Sequence, residues 1–449
     1  MNLRNRTAVI SAVAVVVVVV LVFLFSRAIE KGAVETQAVG AEPAAFRTAD
    51  KCVTCHKRST PAIAGQWAVS THARRGITCR DCHVVTRGHP TAQLHEGEII
   101  SSVVTPKVCS RCHPREAQQF AHSRHGLPAW VALVGEQALA PAQLAEYRDV
   151  AELRPGPTGI VGAMRNALHA IEGPEVTPLA CDRCHSIGRP NADGSNGNCN
   201  KCHFRHEFSR VQVRKPETCN NCHIGPDHPQ WEIYEESAHG ILYHTQGDRW
   251  NWLQEPGRLT VQDFPAPTCQ VCHMSGFGAA GTTHDVGDRL SWFLFAETSD
   301  KRPSAIENRD RMKQVCRECH APKYIDDEYK RADAVVTAVN RRTQEAKQIM
   351  TSLVRDGVLT TADFDHPIKF TAFDLWHYYG RTAKFGAFMQ GADYTQWHGM
   401  YPLLSELAKL KQQASELRRE HAATGRPAVT PVLPGSVTLP TGALPGGGR

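Results

Sequence analysis

Residues 181–223 read CDRCHSIGRPNADGSNGNCNKCHFRHEFSRVQVRKPETCNNCH, and this stretch contains the pattern Cys-x-x-Cys-His three times. The whole chain contains the pattern eight times, and every one of its 16 cysteines belongs to it. The eight motifs are Cys52-Cys55-His56, Cys79-Cys82-His83, Cys109-Cys112-His113, Cys181-Cys184-His185, Cys199-Cys202-His203, Cys219-Cys222-His223, Cys269-Cys272-His273 and Cys316-Cys319-His320. Their irregular spacing excludes a simple tandem repeat.

Each motif predicts one covalently attached heme c. The two thiols form thioethers to the porphyrin, and the histidine that follows is delivered to one axial side of the iron. Zinc knuckles and disulfides are the alternatives for paired cysteines. Histidine accounts for 23 of 449 residues, so its presence after all eight pairs by chance has a probability of roughly 10⁻¹⁰. We therefore expect eight hemes.

The composition agrees with a heme-filled interior. Aromatic residues make up only 7 % of the chain, and eight porphyrins would supply the missing apolar bulk. The formal charge of +6 omits two propionates per heme, so the holoprotein is less basic than the sequence suggests. The charge therefore gives no support for binding to nucleic acid.

The N-terminal segment predicts export and a membrane anchor. Arg4 and Arg6 precede an apolar run from about Ala8 to Phe25, which is long enough to span a bilayer. The flanking positive charge leaves the N-terminus in the cytoplasm and the rest of the chain on the periplasmic face. A cleaved signal peptide is the competing interpretation, although no convincing small-x-small cleavage site follows the run.

The expected fold class is all-α. Little regular secondary structure should surround eight packed hemes, because Pro, Gly and Asn are frequent between the motifs. Longer helices should follow, starting near Asp326 and covering Phe370–Gly391 and Tyr401–Ala422. The predicted regions are an anchor at 1–30, a linker at 31–50, an octaheme catalytic domain at 51–325, a helical region at 326–424 and a disordered Pro/Gly-rich tail at 425–449.

Histidines outside the motifs are candidates for the second axial position. A heme with two axial histidines suits electron transfer, whereas a catalytic heme needs an open position. The candidate distal ligands are His72, His89 or His95, His125, His169, His206, His239 and His284. For each of them, a surface or structural histidine is the alternative.

The sequence resembles the octaheme hydroxylamine oxidoreductase family. The resemblance covers most of Lys51 to Leu410 and rests on the number and order of the motifs and on three stretches. They are PETCNNCHIGPDHPQWEIYEESAHG at 216–240, PTCQVCHMSGFGAAGTTHD at 267–285 followed by VCRECH, and DYTQWHG at 393–399. The resemblance implies that the fourth heme, held by His185, is five-coordinate and catalytic.

The same resemblance assigns roles to three further residues and to the assembly. Asp227 and His228 look like the acid-base pair above the open heme face. Tyr394 looks like the tyrosine that a neighbouring subunit of a homotrimer bonds covalently to the catalytic porphyrin. The alternatives are that Asp227 caps a turn, that His228 packs against a heme edge and that Tyr394 packs between helices.

These residues predict oxidation of hydroxylamine, or of a related small nitrogen compound such as hydrazine. Oxidation of hydroxylamine to nitric oxide removes three electrons and three protons, so an acid-base pair and neighbouring electron carriers are both required. The electrons would pass to a cytochrome c or to a quinone-linked membrane cytochrome. Two alternatives remain open: the reverse reaction, reduction of nitrite or hydroxylamine to ammonia, and a non-catalytic electron conduit with eight bis-histidine hemes.

Overall fold

The computed structural model describes residues 50–150 and 165–428. The predicted anchor, nearly all of the predicted linker and most of the predicted tail lie outside the described residues. In the two described ranges, no helix is both long enough and apolar enough to cross a membrane.

The chain divides into two compact units, Met1–Cys79 and Arg80–Arg449. The described part of the first unit contains helices α1 (Lys51–Ser59), α2 (Pro61–Val69) and α3 (Thr71–Arg74). Asp50 caps α1 by accepting a hydrogen bond from the amide of Cys52 at 2.8 Å. Trp67 packs in a small cluster with Val53 and Ala68. Helix α4 (Cys79–His83) starts at the last residue of this unit.

The heme-motif region of the second unit consists of short elements. They are strands β1 (Gln93–His95) and β2 (Glu98–Ile100), helices α5 (Pro106–Cys109), α6 (Pro114–Ala121), α7 (Leu127–Val134), α8 (Pro141–Val150), α9 (Ala167–Glu172), α10 (Cys181–His185), α11 (Arg210–Arg214), α12 (Glu217–Asn220), α13 (Gln230–Glu236), α14 (Ala238–Gln246), α15 (Cys269–His273) and α16 (Ala305–Arg317), and 3₁₀ turns at Glu136–Ala138, Ser186–Gly188, Cys199–Lys201 and Gly247–Arg249. The two strands form an antiparallel hairpin.

This arrangement confirms a helix-rich multiheme fold, and the hairpin is a small departure from the all-α prediction. Helices α4, α10 and α15 each consist of one heme motif and nothing more. A single turn is enough to place two cysteines and a histidine on neighbouring positions, so the motif needs no longer element.

The C-terminal part contains the long helices that the sequence predicts. They are α17 (Pro322–Arg355), α18 (Pro367–Asp374), a π-helical turn (Leu375–Gly380), α19 (Arg381–Met389), α20 (Ala392–Thr395), a second π-helical turn (Gln396–Met400) and α21 (Tyr401–Thr424). Helix α17 begins a few residues before the predicted start, because Pro322 occupies its first turn, where a missing N–H costs nothing.

These helices bury one continuous apolar cluster. Val339 and Leu353 of α17 contact Leu375 of the first π-helical turn and Leu403 and Leu410 of α21, and all five side chains are fully buried. The cluster holds the first π-helical turn and α19 against α17 and α21. The turn and α19 carry residues of the site described below.

Candidate functional site

The structure places the cysteines and histidine of each heme motif close together. In helices α4, α10 and α15 the two cysteines and the histidine lie within one helical turn. No disulfide joins any of the 16 cysteines. This local arrangement is the one that thioether attachment of heme c uses.

Four histidines outside the motifs lie opposite motif histidines at nearly constant spacing. The ring centroids are 6.3 Å apart for His206 and His83, 5.8 Å for His125 and His223, 6.3 Å for His284 and His203, and 6.1 Å for His239 and His320. Two imidazoles on opposite sides of one metal ion have ring centroids about 6 Å apart. This distance is the sum of two metal–nitrogen bonds of about 2 Å and the two distances from each bound nitrogen to its ring centre. The four pairs thus fit axial coordination of four hemes.

The other predicted ligands lie in different surroundings. His72 is half-buried on α3, and His95 is exposed on β1. His89 places its Nε2 4.0 Å from Asp193, whereas the buried His169 places its Nε2 2.8 Å from Asp182. Of the remaining motif histidines, His56 contacts the hydroxyl of Thr60 through Nδ1 at 2.6 Å, His113 precedes α6, and His273 is buried near Arg289.

Cysteines from different motifs lie side by side in the second unit. Hydrogen-bonding contacts join Cys184 to Cys222, Cys109 to Cys199 and Cys219 to Cys269. Cys82 is close enough to interact with Cys109, and Cys272 with Cys316. Porphyrins attached to such neighbours must themselves be adjacent, and the motif of His185 adjoins the motif of His223.

His185 and His228 face one another in the part of the molecule that the sequence selects as catalytic. Their ring centroids are 6.2 Å apart, and the ring planes are nearly perpendicular at 78°. Nδ1 of His185 lies 2.6 Å from the carbonyl oxygen of Ala129, which fixes the ring and leaves Nε2 for the iron. Nδ1 of His228 lies 2.6 Å from Oδ2 of Asp227. The structure thus brings together His185, Asp227 and His228.

Asp227 has two further partners that sequence reasoning missed. Nη1 of Arg381 donates to its Oδ1 at 2.7 Å, and Nε2 of His377 lies 2.5 Å from the same oxygen. Burial opposes ionisation of Asp227, but the hydrogen bonds with His228 and His377 outweigh it and hold the pKa of this carboxyl below its ordinary value. Asp227 is therefore a carboxylate at neutral pH.

The signal for these two partners is present in the sequence LWHYYGR at 375–381. His377 and Arg381 are four residues apart and therefore lie on one face of a helix. They lie in and directly after the π-helical turn Leu375–Gly380, a feature that is frequent at functional sites. The motif pattern gave no reason to select this helix, because it lies far from every cysteine.

Tyr394 lies on α20, near the acidic residues Glu232 and Glu236 of α13. Its ring stacks on His398 at a centroid distance of 4.5 Å, and Asp393 bonds to Nδ1 of His398 at 2.7 Å. The resemblance places Tyr394 in the site of a neighbouring subunit, and a single chain does not test that placement.

Comparisons with known proteins agree with this picture. A family model described as "Seven times multi-haem cytochrome CxxCH" matches residues 161–367. The probable nitrite reductase-hydroxylamine oxidoreductase fusion protein of Kuenenia stuttgartiensis is 28 % identical over 261 residues, which are 50 % of this chain and 25 % of that protein. The chain therefore spans about a quarter of the length of this curated relative.

Two solved structures share the fold. A hypothetical multiheme protein superposes with a TM-score of 0.68 at 21 % identity, covering 83 % of this chain and 96 % of that one. A chain of the Kuenenia stuttgartiensis reducing HAO-like protein complex gives a TM-score of 0.60 at 22 % identity, with coverages of 83 % and 86 %. The chain thus resembles the hydroxylamine oxidoreductase-like multiheme cytochromes in its heme motifs and in its fold.

The match to the CxxCH family model implies covalently bound heme c. The spacing of the histidine pairs is the feature of the structure that fits this cofactor. Two phenylalanines pack beside His228. The ring centroid of Phe295 lies 5.0 Å from that of His228, and the ring centroid of Phe385, on α19, lies 4.9 Å from that of Phe295.

A buried lysine holds the segment that carries Phe295. Lys384 has no exposed surface, and its Nζ donates to the carbonyl of Ala296 at 2.9 Å and to the hydroxyl of Ser299 at 2.8 Å. Burial and the charge of Arg381 lower the pKa of Lys384, the charge of Glu297 opposes them, and the result is a pKa of about 7. The hydrogen bonds to Ala296 and Ser299 therefore hold the ammonium group of Lys384 although its burial removes it from water.

Lys384 should make stability rise with pH. An unfolded lysine has a pKa of about 10.4, so between about pH 7 and pH 10 the unfolded state binds more protons than the folded state, and raising the pH favours folding. Relative to Lys384→Met, the free energy of unfolding of the unchanged protein should rise over this range by at most about 1.4 kcal/mol per pH unit. We therefore expect the difference between the two Tm values to increase with pH in favour of the unchanged protein. Lys323→Met, at an exposed lysine, is the control. A Tm difference independent of pH would contradict the expectation.

Proposed function

We propose that this cytochrome is an octaheme oxidoreductase that oxidises hydroxylamine, or a related small nitrogen compound such as hydrazine, at the heme held by His185. The observation that carries the proposal is the Asp227–His228 pair beside His185. His228 is bonded to Asp227 and lies about equally far from two motif histidines, with ring centroids 6.2 Å from His185 and 5.9 Å from His223, whereas each of the four paired histidines faces one motif histidine. Seven further hemes would be bis-histidine carriers. Four of the histidine pairs described above have the spacing that such carriers require.

The chain's residues would supply the proton chemistry of this reaction. The iron would bind the nitrogen atom and accept its electrons. His228 can accept a proton from the substrate, because Asp227 bonds to Nδ1 and leaves Nε2 as the free nitrogen. Asp227 then stabilises the imidazolium that forms, as a carboxylate does beside a histidine base. Phe295 limits the access of water on one side of the His228 ring.

The neighbouring motifs offer a route for the electrons. The contact between Cys184 and Cys222 puts the heme of His185 beside the heme of His223, and the contact between Cys219 and Cys269 continues to the next motif. Electrons leaving the site would follow this series to a cytochrome c or to a quinone-linked membrane cytochrome. We propose a location on the periplasmic face, with the N-terminal segment as the membrane anchor.

Tyr394 supports oxidation as the direction. In the family that the sequence resembles, members with the cross-linking tyrosine oxidise hydroxylamine or hydrazine, and members without it resemble reductases. The second candidate is reduction of nitrite or hydroxylamine to ammonia. It is favoured by the names of two relatives, a probable nitrite reductase-hydroxylamine oxidoreductase fusion and a reducing HAO-like complex.

An exposed apolar strip supports the proposed homotrimer. Trp397, Tyr401 and Leu404 follow one another at helical spacing, with 62 %, 57 % and 44 % of their surfaces exposed. Three large apolar side chains on one face are typical of a surface that another protein covers. The strip begins three residues after Tyr394, so an interface formed there would bring Tyr394 close to a second subunit.

The heme of His185 should respond to small ligands. If His228 does not occupy its sixth position, hydroxylamine and cyanide should change the visible and electron paramagnetic resonance spectra of about one heme in eight. The internal control is the heme between His239 and His320, because two axial histidines leave no open position on its iron. Its spectrum should not change when either ligand is added. A wholly low-spin ferric spectrum that neither ligand alters would leave only the electron conduit.

Replacing Tyr394 should test the direction of the reaction. Tyr394→Phe removes the phenol oxygen needed for the cross-link, so the mass of the heme peptide containing Cys181 should fall by that of the attached tyrosine peptide. The oxidation rate should drop by at least about tenfold, whereas reduction of nitrite should persist. Tyr379→Phe, whose side chain packs against the C-terminal apolar cluster, is the matched control. Unchanged oxidation and an unchanged peptide mass in Tyr394→Phe would contradict the proposed cross-link.

The apolar strip should determine the oligomeric state. The double variant Trp397→Ser with Tyr401→Ser should dissociate to monomers, because it removes two of the three exposed apolar side chains. Mass photometry of the detergent-solubilised holoprotein measures this directly. Ile306→Ser replaces an apolar residue on α16 that is more exposed than any residue of the strip, and it should leave the trimer intact. A monomeric unchanged protein, or a trimeric double variant, would refute the assignment of the strip.

A further inference from the structure

Asp227 is shared by three side chains, and their protonation states follow from the geometry. Oδ2 faces Nδ1 of His228, and Oδ1 faces both Nη1 of Arg381 and Nε2 of His377. At 2.5 Å from a carboxylate, Nε2 of His377 must carry a proton. The 3.0 Å separation between Arg381 Nη1 and His377 Nε2 is then a contact between two donors and not a hydrogen bond.

Arg381 is held more tightly than an ordinary surface cation. Its Nε donates to the carbonyl oxygen of Phe295 at 2.8 Å, and its guanidinium carbon lies 5.3 Å from the ring centre of Phe295 and 5.0 Å from that of Trp376. Only 11 % of the side chain is exposed. Stacking and a hydrogen bond together fix the plane of the guanidinium, so Nη1 can point in only one direction, toward Asp227.

The charges near Arg381 determine which role it can have. Asp227 neutralises it at 2.7 Å, and a guanidinium paired with a carboxylate offers little attraction to a second anion. Lys384, one turn further along α19, is occupied with the carbonyl of Ala296 and the hydroxyl of Ser299. The geometry therefore favours a structural task at Asp227 over direct binding of an anionic substrate.

We propose that Arg381 is a positioning residue: it holds Asp227 so that Asp227 fixes the tautomer and orientation of His228, which keeps Nε2 of His228 available for protons on the substrate side. This proposal rests on the proposed function, because it assigns a task at the same site. His377 assists as the second donor to Oδ1. Through Arg381, the C-terminal helices contribute to proton transfer without touching substrate.

Cyanide association tests this role without turnover. Hydrogen cyanide is mostly protonated at neutral pH and must lose its proton as it binds ferric heme, so a correctly held base speeds binding. In the purified holoprotein we expect Arg381→Met to slow cyanide association about tenfold to a hundredfold. The kcat for hydroxylamine should fall similarly, while KM changes by less than about threefold. Arg381→Lys should recover part of both rates.

Matched variants separate the possible outcomes. Arg355→Met removes a cation from an exposed pair with Asp356 and should change neither rate. Asp227→Asn should reproduce the Arg381→Met defect and add little to it in the double variant, because both break one contact. Asp227→Asn keeps the shape of the side chain and so tests the contact even if Arg381→Met fails to incorporate its hemes.

Three different results would contradict the positioning role of Arg381, and each has a different meaning. Normal cyanide association in Arg381→Met, with slow association in Asp227→Asn, would refute the positioning role. A raised KM for nitrite with unchanged cyanide association would instead make Arg381 a direct anion-binding residue. If the unchanged protein did not bind cyanide, the proposed catalytic heme would be refuted, and the positioning role of Arg381 would be refuted with it.

Discussion

The spacing of opposed histidine rings is the constraint on which the rest of the structure depends. Two imidazoles that coordinate one iron must stand about 6 Å apart. The four pairs assigned above meet this distance, and His228 lies at a similar distance from both His185 and His223. The partners of a pair come from distant parts of the sequence, as with His83 and His206. Long regular elements would not satisfy several such pairings at once, which explains the one-turn helices at the motifs and the irregular connections between them.

The C-terminal helices have a different physical basis. Their core is a conventional apolar cluster containing Leu353, Leu375 and Leu403, so they can be rigid independently of any cofactor. That rigidity reaches the site through the π-helical turn, which turns His377 and Arg381 toward Asp227. Asp227, one member of the proposed acid-base pair, is thus held in a region of short helices by a neighbour that is packed like an ordinary helical bundle.

The sequence could predict whatever is local or covalent. The motifs identified the heme attachment, and the apolar periodicity located the long helices, since both depend on residues close in the chain. Choosing distal ligands was harder: His125 and His169 look alike in sequence, yet one faces His223 and the other bonds to Asp182. Only the tertiary fold separates them. Arg381 was missed for the same reason, since its partner Asp227 is far away in the chain.

The geometry around Asp227 also bears on the direction of the reaction. Oxidation of hydroxylamine releases protons and reduction of nitrite consumes them, but the same His228 nitrogen can accept a proton in one direction and donate it in the other. A well-held acid-base pair therefore accelerates both directions equally. The direction must then be determined by groups that alter the electronic properties of the heme or the supply of electrons. In this chain Tyr394 is the candidate for the first, and the adjacent motifs of His185 and His223 are the candidate path for the second.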